Sequence, residues 1–152
     1  MTINKQRLNF WEELSLEEMS KKQWEMLCDG CGLCCLHKFE DEYTSKIFFT
    51  DVVCQYIEEE TCKCKHYESR NEYVPDCLNI KPDWGAKFNW LPSSCAYRLL
   101  YEKKSLHDWH PLVSGQRDSV HMAGISVRGR AFSDADISDE DIFSHIIEWV
   151  ES

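Results

Sequence analysis

The sequence has no long hydrophobic run, and no segment approaches the roughly 18 apolar residues that a membrane-spanning helix requires. Residues 1–11 also lack the apolar centre of a signal peptide. Both absences favour a cytoplasmic protein that does not enter a membrane. Because the cytosol keeps thiols reduced, cysteines in such a chain are expected to bind metal or to react, and not to form disulfides.

Basic residues are outnumbered, since 17 Lys and Arg stand against 27 Asp and Glu and give a net charge of −10. Nucleic-acid affinity depends on basic patches that contact phosphates. We therefore expect an acidic protein that does not bind nucleic acid. Its 152 residues are enough for a single domain over residues 1–152 with a modest core.

Standard enzyme signatures are missing as well. The chain contains no Gly-rich phosphate loop, no nucleophile elbow and no His-Glu-x-x-His motif. We accordingly assign no catalytic residue and no binding residue for an organic cofactor. Whether the protein is an enzyme stays open at this point.

Cysteine, in contrast, is abundant, and four of the nine cysteines fall between residues 28 and 35. Glycines inside this motif permit tight turns that direct several sulfurs toward one point. We predict a metal-ligand region over about residues 28–95. Its candidate metal ligands are Cys28, Cys31, Cys34, Cys35, Cys54, Cys62, Cys64, Cys77 and Cys95.

The order of motifs resembles that of the YcgN-type cysteine-cluster proteins of bacteria. The resemblance covers roughly residues 10–130 and implies membership of the wider CxxCxxCC group of zinc- or iron-chelating domains. It implies metal binding without naming a reaction. The motifs are Cys28-x-x-Cys31-x-x-Cys34-Cys35, Cys54, Cys62-x-Cys64-x-His66-Tyr67, Pro75-Asp76-Cys77, Leu91-Pro92-x-x-Cys95-Ala96-Tyr97-Arg98-Leu99-Leu100 and Trp109-His110-Pro111-Leu112.

The spacing slightly favours an iron–sulfur cluster over zinc. A zinc ribbon uses two CxxC knuckles, and Cys62-x-Cys64 departs from that spacing. Cys28-x-x-Cys31-x-x-Cys34 matches the opening of a bacterial ferredoxin loop, although the usual fourth cysteine followed by proline is absent. We therefore expect a distant segment to supply the fourth thiolate.

The number of cysteines is compatible with one metal centre or with two. Adjacent side chains such as those of Cys34 and Cys35 point in different directions on most backbones, so one of them faces a second centre or the core. Nine thiols fit two four-thiolate sites with one spare, or one site with several structural cysteines. The histidines are left out of the ligand set.

The fold class expected is α+β, a small domain with short strands, several helices and an irregular middle stapled by metal. Capping boxes at Ser15 and Ser20 predict two short helices within residues 10–27, the second ending near Gly30. β-branched and aromatic residues over 46–54 predict one or two strands, and residues 125–128 a further strand. The apolar stripe over about 138–150 predicts a C-terminal amphipathic helix.

Two local predictions concern the cysteines themselves. If residues 62–66 are extended, Cys62 and Cys64 share one face, while Lys63 and Lys65 point the other way into solvent. Cys95 is expected in the first turn of a helix over 95–102, where the helix dipole favours a thiolate.

Three functional classes follow. The first is a metal- or cluster-binding protein in metal handling, redox sensing or electron transfer. The second is a cluster-assisted enzyme of unknown reaction, because flagellin lysine methylases carry a similar CxxCxxCC element. The third is an interaction module with purely structural zinc, which would meet a protein partner through its acidic surface and terminal helix.

Overall fold

The computed structural model describes residues 9–151. It combines short helices with a three-stranded sheet, so the predicted α+β class is confirmed. Most of the N-terminal stretch used to argue against a signal peptide lies outside the described residues. Among the helices described, none has the length and apolar character needed to cross a bilayer.

Two capping boxes organise the N-terminal helices, as predicted. The Ser15 hydroxyl accepts a hydrogen bond from the Glu18 N–H at 3.3 Å, and the Glu18 carboxylate accepts one from the Ser15 N–H at 2.9 Å. Ser20 and Gln23 repeat this exchange. Helix α1 (Phe10–Glu13) comes first, and the two capped elements that follow it are a 3-10 helix (Leu16–Glu18) and α2 (Lys21–Met26).

Helix α2 ends at Met26, earlier than the predicted end near Gly30. Gly30 does adopt the left-handed conformation expected of it, with φ of 79°. That turn belongs to the cysteine loop and not to the helix cap. Cys28 therefore follows the helix, and the whole cysteine motif is built on loop and 3-10 backbone.

The sheet forms around the apolar stretch that the sequence marked as strand. Strand β1 (Leu36–Glu40) and strand β2 (Ile47–Val53) pair antiparallel, and β3 (Phe132–Ser133) pairs parallel with β2. A register irregularity lies between Leu36 and Lys38. Strand β2 is central, and its Phe49 and Val52 are fully buried.

The remaining elements are short and connect the site to its surroundings. They are α3 (Arg70–Tyr73), a 3-10 helix (Gly85–Trp90), α4 (Ala96–Tyr101), α5 (Pro111–Ser114), α6 (Ser119–Met122) and a 3-10 helix (Ile142–His145). Helix α4 agrees with the predicted helix over 95–102.

The predicted C-terminal helix over 138–150 is wrong. Only the 3-10 helix Ile142–His145 forms, and the chain then runs along β2, where Ile146 bridges Thr50 and the Ile147 N–H donates to the Phe49 carbonyl at 2.9 Å. Phe143 stacks on Phe39 with ring centroids 4.4 Å apart. These contacts with the sheet override the helical periodicity of the sequence.

The predicted strand over 125–128 is also absent, because these residues form bends and turns. Val127 is buried and donates its N–H to the Cys31 carbonyl at 2.9 Å. This segment is therefore attached to the cysteine loop by one hydrogen bond, and not by the series of backbone hydrogen bonds that a strand would make.

Two hydrophobic clusters flank the cysteine motif. One is built on the sheet and includes Phe49, Val120 and Val127. The other is built on α4 and includes Leu27 and Phe88. The motif lies between the two clusters, which determines the side to which each of its cysteines points.

Candidate metal centre

A cavity of about 540 Å³ opens beside the sheet, and six of the nine cysteines line it. They are Cys28, Cys34, Cys35, Cys54, Cys64 and Cys77. A larger cavity of about 860 Å³ lies beside Trp11 and Leu106 and has no cysteine in its lining. The thiol chemistry is therefore concentrated in the smaller cavity.

Cys34 and Cys35 both line the cavity. They end the 3-10 turn Leu33–Cys35, which Gly32 starts in a left-handed conformation with φ of 73°. Cys34 packs against the cluster on α4, whereas Cys35 packs against the cluster on the sheet. A hydrogen bond between the two thiols lowers the pKa of Cys34, which the Lys38 ammonium lowers further, and raises the pKa of Cys35.

The charge of the buried Asp29 carboxylate acts on four cysteines, Cys28, Cys31, Cys34 and Cys95, which are called the first cysteine group. It raises the pKa of Cys28, Cys31 and Cys95, and it opposes the lowering of the Cys34 pKa. The Asp29 side chain accepts a hydrogen bond from the Cys31 N–H at 3.0 Å through Oδ1. Its Oδ2 atom is buried and has no hydrogen-bond partner among the described residues.

A buried carboxylate oxygen without a donor is costly, and nearby thiolates would add to that cost. A cation bound among these sulfurs would offset the charge of Asp29 and of the thiolates together. The donor set of the first cysteine group therefore fits a metal ion or cluster. Soft thiolate ligands suit zinc and iron–sulfur clusters.

Burial dominates the acid–base behaviour of this group. It raises the pKa of Cys28 to about 12, with Asp29 as the next contribution. Cys28 has a large accessible surface, yet it lies in the cavity wall with protein atoms around it. Burial also raises the pKa of Cys95 well above its usual value, so the expected effect of the helix dipole is overridden. Cys95 is the N-cap of a six-residue helix, not a member of its first turn.

The second cysteine group consists of Cys35, Cys54, Cys64 and Cys77. Backbone hydrogen bonds join its first members, because the Cys54 N–H donates to the Cys35 carbonyl at 3.1 Å and the Ile57 N–H donates to the Cys54 carbonyl at 3.0 Å. Ile57 in turn forms a β-bridge with Cys64. Three of the four thiols are therefore positioned by one short stretch of paired backbone.

Cys77 reaches the same cavity from beyond α3. The Asn71 side chain donates to its carbonyl at 3.1 Å, and its N–H donates to the Val74 carbonyl at 3.0 Å. Burial raises the pKa of Cys54 and of Cys77. The Asp134 charge raises the pKa of Cys54 further, and neighbouring cysteines, Cys34 first, raise that of Cys77. A bound cation would relieve the same repulsion.

Cys62 belongs to neither group. Its backbone is left-handed, with φ of 57°, and its side chain is 5% exposed in the cluster on the sheet. It lies beside Gly32, and its thiol is 3.9 Å from the Glu59 carbonyl. The predicted common face of Cys62 and Cys64 is therefore wrong, because the left-handed turn directs Cys62 into the core and leaves Cys64 on the cavity.

One half-buried cation at the cavity was not predicted from the sequence. Lys38 lines the cavity, donates to the Cys34 carbonyl at 3.0 Å and to the Leu36 carbonyl at 3.3 Å, and lies over the Phe49 ring. Burial lowers its pKa, while the nearby thiolates oppose that change. Side chains alternate between the two faces of β1, so Lys38 lies on the same face as the buried Leu36, and this pattern could have indicated its position.

Aromatic side chains complete the wall. His66 stacks on Tyr73 with ring centroids 3.7 Å apart, and the Tyr67 hydroxyl donates to the Glu25 carboxylate at 2.5 Å. In the described residues, no three cysteine, histidine or carboxylate side chains already converge as a finished metal site. Six of the thiols instead border a shared space.

Comparison with known proteins identifies the family. Residues 27–96 match the CxxCxxCC family, described as a putative zinc- or iron-chelating domain. A UPF0260 protein of Gluconacetobacter diazotrophicus is 50% identical over 92% of this chain and 86% of its own. A UPF0260 protein of Marinobacter nauticus is 46% identical over 95% of this chain and 97% of its own. The chain belongs to the UPF0260 family.

Membership confirms the resemblance to bacterial cysteine-cluster proteins. A UPF0260 protein of Sinorhizobium medicae is similar to the same extent, at 49% identity over 92% of this chain and 90% of its own. No solved structure matches the chain. The matched segment contains all nine cysteines and supports metal binding by this UPF0260 chain.

Proposed function

We propose that this UPF0260 chain binds an iron–sulfur centre through the thiolates of its cysteine-lined cavity and acts in the cytoplasm in iron handling, redox sensing or electron transfer. The observation that carries the proposal is the presence of six cysteines around one cavity of about 540 Å³. Zinc and an iron–sulfur cluster each take four protein ligands, so the six thiols that border this space are enough for either centre.

The size of the cavity supports the iron–sulfur alternative. A zinc ion holds its sulfurs at about 2.3 Å and needs little room, whereas a cluster of several iron and sulfide ions occupies a larger volume. Zinc and iron–sulfur centres with thiolate ligands both carry net negative charge, which the half-buried Lys38 beside the cysteine pair would offset in either case. Charge and hydrogen bonding around the sulfurs also set the reduction potential of such a centre.

The test is anaerobic purification of the full chain, followed by a visible spectrum and by analysis of iron, acid-labile sulfide and zinc. We expect iron and sulfide in comparable amounts, with thiolate-to-iron absorption that bleaches on reduction. Stoichiometric zinc in a colourless protein would contradict the proposal and favour an interaction module with structural zinc.

A matched control uses two cysteines of one short segment. Cys64→Ser removes a thiol of the cavity wall, and Cys62→Ser removes the nearby thiol that lies outside the cavity. We expect iron to be lost or the spectrum to change in Cys64→Ser and to be retained in Cys62→Ser. Equal loss in both variants would count against the cavity as the binding site.

A further inference from the structure

We propose that residues 66–79 form a strap that opens and closes one wall of the cysteine-lined cavity, and that the hydrogen bond between Tyr67 and Glu25 is its latch. Opening of this strap sets the rate at which the cavity exchanges metal. The inference rests on the proposed metal-binding function and specifies how metal enters and leaves the protein.

The strap forms a large part of the cavity wall. Eight of its residues line the cavity, among them Cys77 of the second cysteine group. Glu25 and Cys28 line the cavity as well, from the end of α2 and the loop that follows it. Movement of the strap away from α2 would therefore widen the cavity and separate Cys77 from the other thiols.

The strap is held loosely along its length. None of residues 66–79 is buried, and the only helix within this range is the four-residue α3. Many of its hydrogen bonds are internal, such as those from the Asn71 side chain to the carbonyls of Pro75 and Cys77. Segments with few buried side chains and mainly local hydrogen bonds open at low cost in free energy.

Both ends of the strap are attached to the rest of the protein. Before its first residue, Cys64 forms a β-bridge with Ile57, and the Lys65 N–H donates to the Tyr56 carbonyl at 2.8 Å. Near its last residue, Leu78 packs against the hydrophobic cluster on α4. These attachments leave α3 and the turns on either side of it as the part that moves.

One hydrogen bond ties the strap to a distant element. The Tyr67 hydroxyl donates to the Glu25 carboxylate at 2.5 Å, and in the described chain this is the one hydrogen bond from residues 66–79 to a residue outside 64–79. The Arg70 guanidinium lies over the Tyr67 ring, 4.4 Å from its centroid, and donates to the Tyr67 carbonyl at 2.7 Å. Because a charged acceptor strengthens a hydrogen bond, this contact favours the closed position.

The experiment compares Tyr67→Phe with Tyr73→Phe in the full-length chain. Tyr67→Phe removes the latch hydroxyl and keeps the ring. The Tyr73 hydroxyl is on the same strap and makes no hydrogen bond among the described residues, while its ring, which Tyr73→Phe retains, lies against Tyr56 and His66. Amide hydrogen exchange of residues 66–79 in the protein as purified measures opening of the strap. Removal of Co²⁺ by excess EDTA from the Co²⁺-loaded chain, followed by thiolate-to-cobalt absorption, measures release of metal.

We expect both rates to rise by about 5-fold in Tyr67→Phe and to keep the wild-type value in Tyr73→Phe. Unchanged exchange in Tyr67→Phe would overturn the latch. Faster exchange with unchanged release of Co²⁺ would overturn the control of metal by the strap.

Glu25→Ala removes the same hydrogen bond from the side of α2, and it serves if Tyr67→Phe fails to fold by circular dichroism. It should give the same acceleration, and the double variant should be no faster, because both substitutions remove one contact. Additive effects would argue against the latch. A wild-type chain that takes up no Co²⁺ would contradict metal binding and the strap's control of it together, whereas normal uptake with equal rates in all variants would refute the strap alone.

Discussion

Gly32 lies where the cysteine motif packs closely against Val127 and Cys62. A Cβ atom there would lie 2.8 Å from Val127 Cγ2 and 3.2 Å from Cys62 Cβ, at a φ of 73°. Gly32→Ala therefore adds overpacking, about 1–3 kcal/mol, to left-handed strain of about 1–2 kcal/mol. We expect a loss of about 2–5 kcal/mol in the free energy of unfolding, measured by urea denaturation.

Gly30 provides the matched control for this prediction. Its φ is 79°, close to that of Gly32, but a Cβ atom there would meet no atom within 4 Å. Gly30→Ala should show the strain alone, about 1–2 kcal/mol. If the two variants unfold at the same urea concentration, the close approach at Gly32 does not contribute to stability.

Lys38 offers a test of charge balance at the cavity. Lys38→Met keeps most of the aliphatic volume and removes the ammonium group that lies against the cysteine pair. Because the loss leaves thiolate charge less compensated, we expect Co²⁺ affinity to fall by about 10-fold. Lys46→Met is the control, since Lys46 also lies over a phenylalanine ring but does not line the cavity. Equal affinities in the two variants would contradict this role.

At the scale of elements, sequence patterns were informative where the interactions are local. The capping boxes at Ser15 and Ser20 depend on residues three apart, and both formed as predicted. The C-terminal stripe of Ile146 and its neighbours also has helical spacing, but its apolar side chains are held by β2 and Phe39 instead. The secondary structure of such a segment depends on residues far away in the chain, and no pattern within the segment predicts it.

The attachment of the C-terminal segment to β2 leads to a testable difference between two adjacent positions. Ile147→Pro removes the N–H that donates to the Phe49 carbonyl. The amide of Glu148 makes no such backbone bond among the described residues. We expect Ile147→Pro to lower the free energy of unfolding by about 1–3 kcal/mol and Glu148→Pro by clearly less. A reversed order in denaturation experiments would argue against this pairing.

Helix α6 and the following turn are joined by a pH-sensitive contact. His121 Nδ1 lies 2.6 Å from the Ser126 hydroxyl, and burial, followed by the Arg128 charge, lowers the histidine pKa despite the opposing Asp118. The unfolded chain therefore holds more protons than the folded chain below the ordinary pKa of about 6.5, and stability falls as the pH drops through that value. His121→Gln should show a shallower decline of Tm from about pH 7.5 to pH 5.5 than the wild type. Identical declines would contradict the contribution of His121.

For the whole molecule, the grouping of cysteines is what the sequence could least predict. Adjacent side chains were expected to diverge, yet Cys34 and Cys35 both line the cavity. Which of the other cysteines lie near each of them depends on the turn between the strands and on the placement of α4, and both are features of the tertiary structure. The left-handed backbone of Cys62 reversed a prediction based on simple alternation.

We expect the order of the cysteine region to depend on what its thiols bind. Between Cys54 and Cys77 the only helix is the four-residue α3, and a bound structural metal contributes about 10–16 kcal/mol, as much as the total stability of a typical domain, about 5–15 kcal/mol. Removing metal with a chelator should therefore loosen this segment and expose Lys63, Lys65 and Arg70 to trypsin. We expect rapid cleavage at these positions and a reduced circular dichroism signal, both reversed when metal is restored. The 3-10 helix Leu16–Glu18 and helix α2 use side-chain caps that need no metal, so cleavage at Lys21 and Lys22 should change least. An unchanged digestion pattern after chelation would show that packing alone holds the cysteine region together.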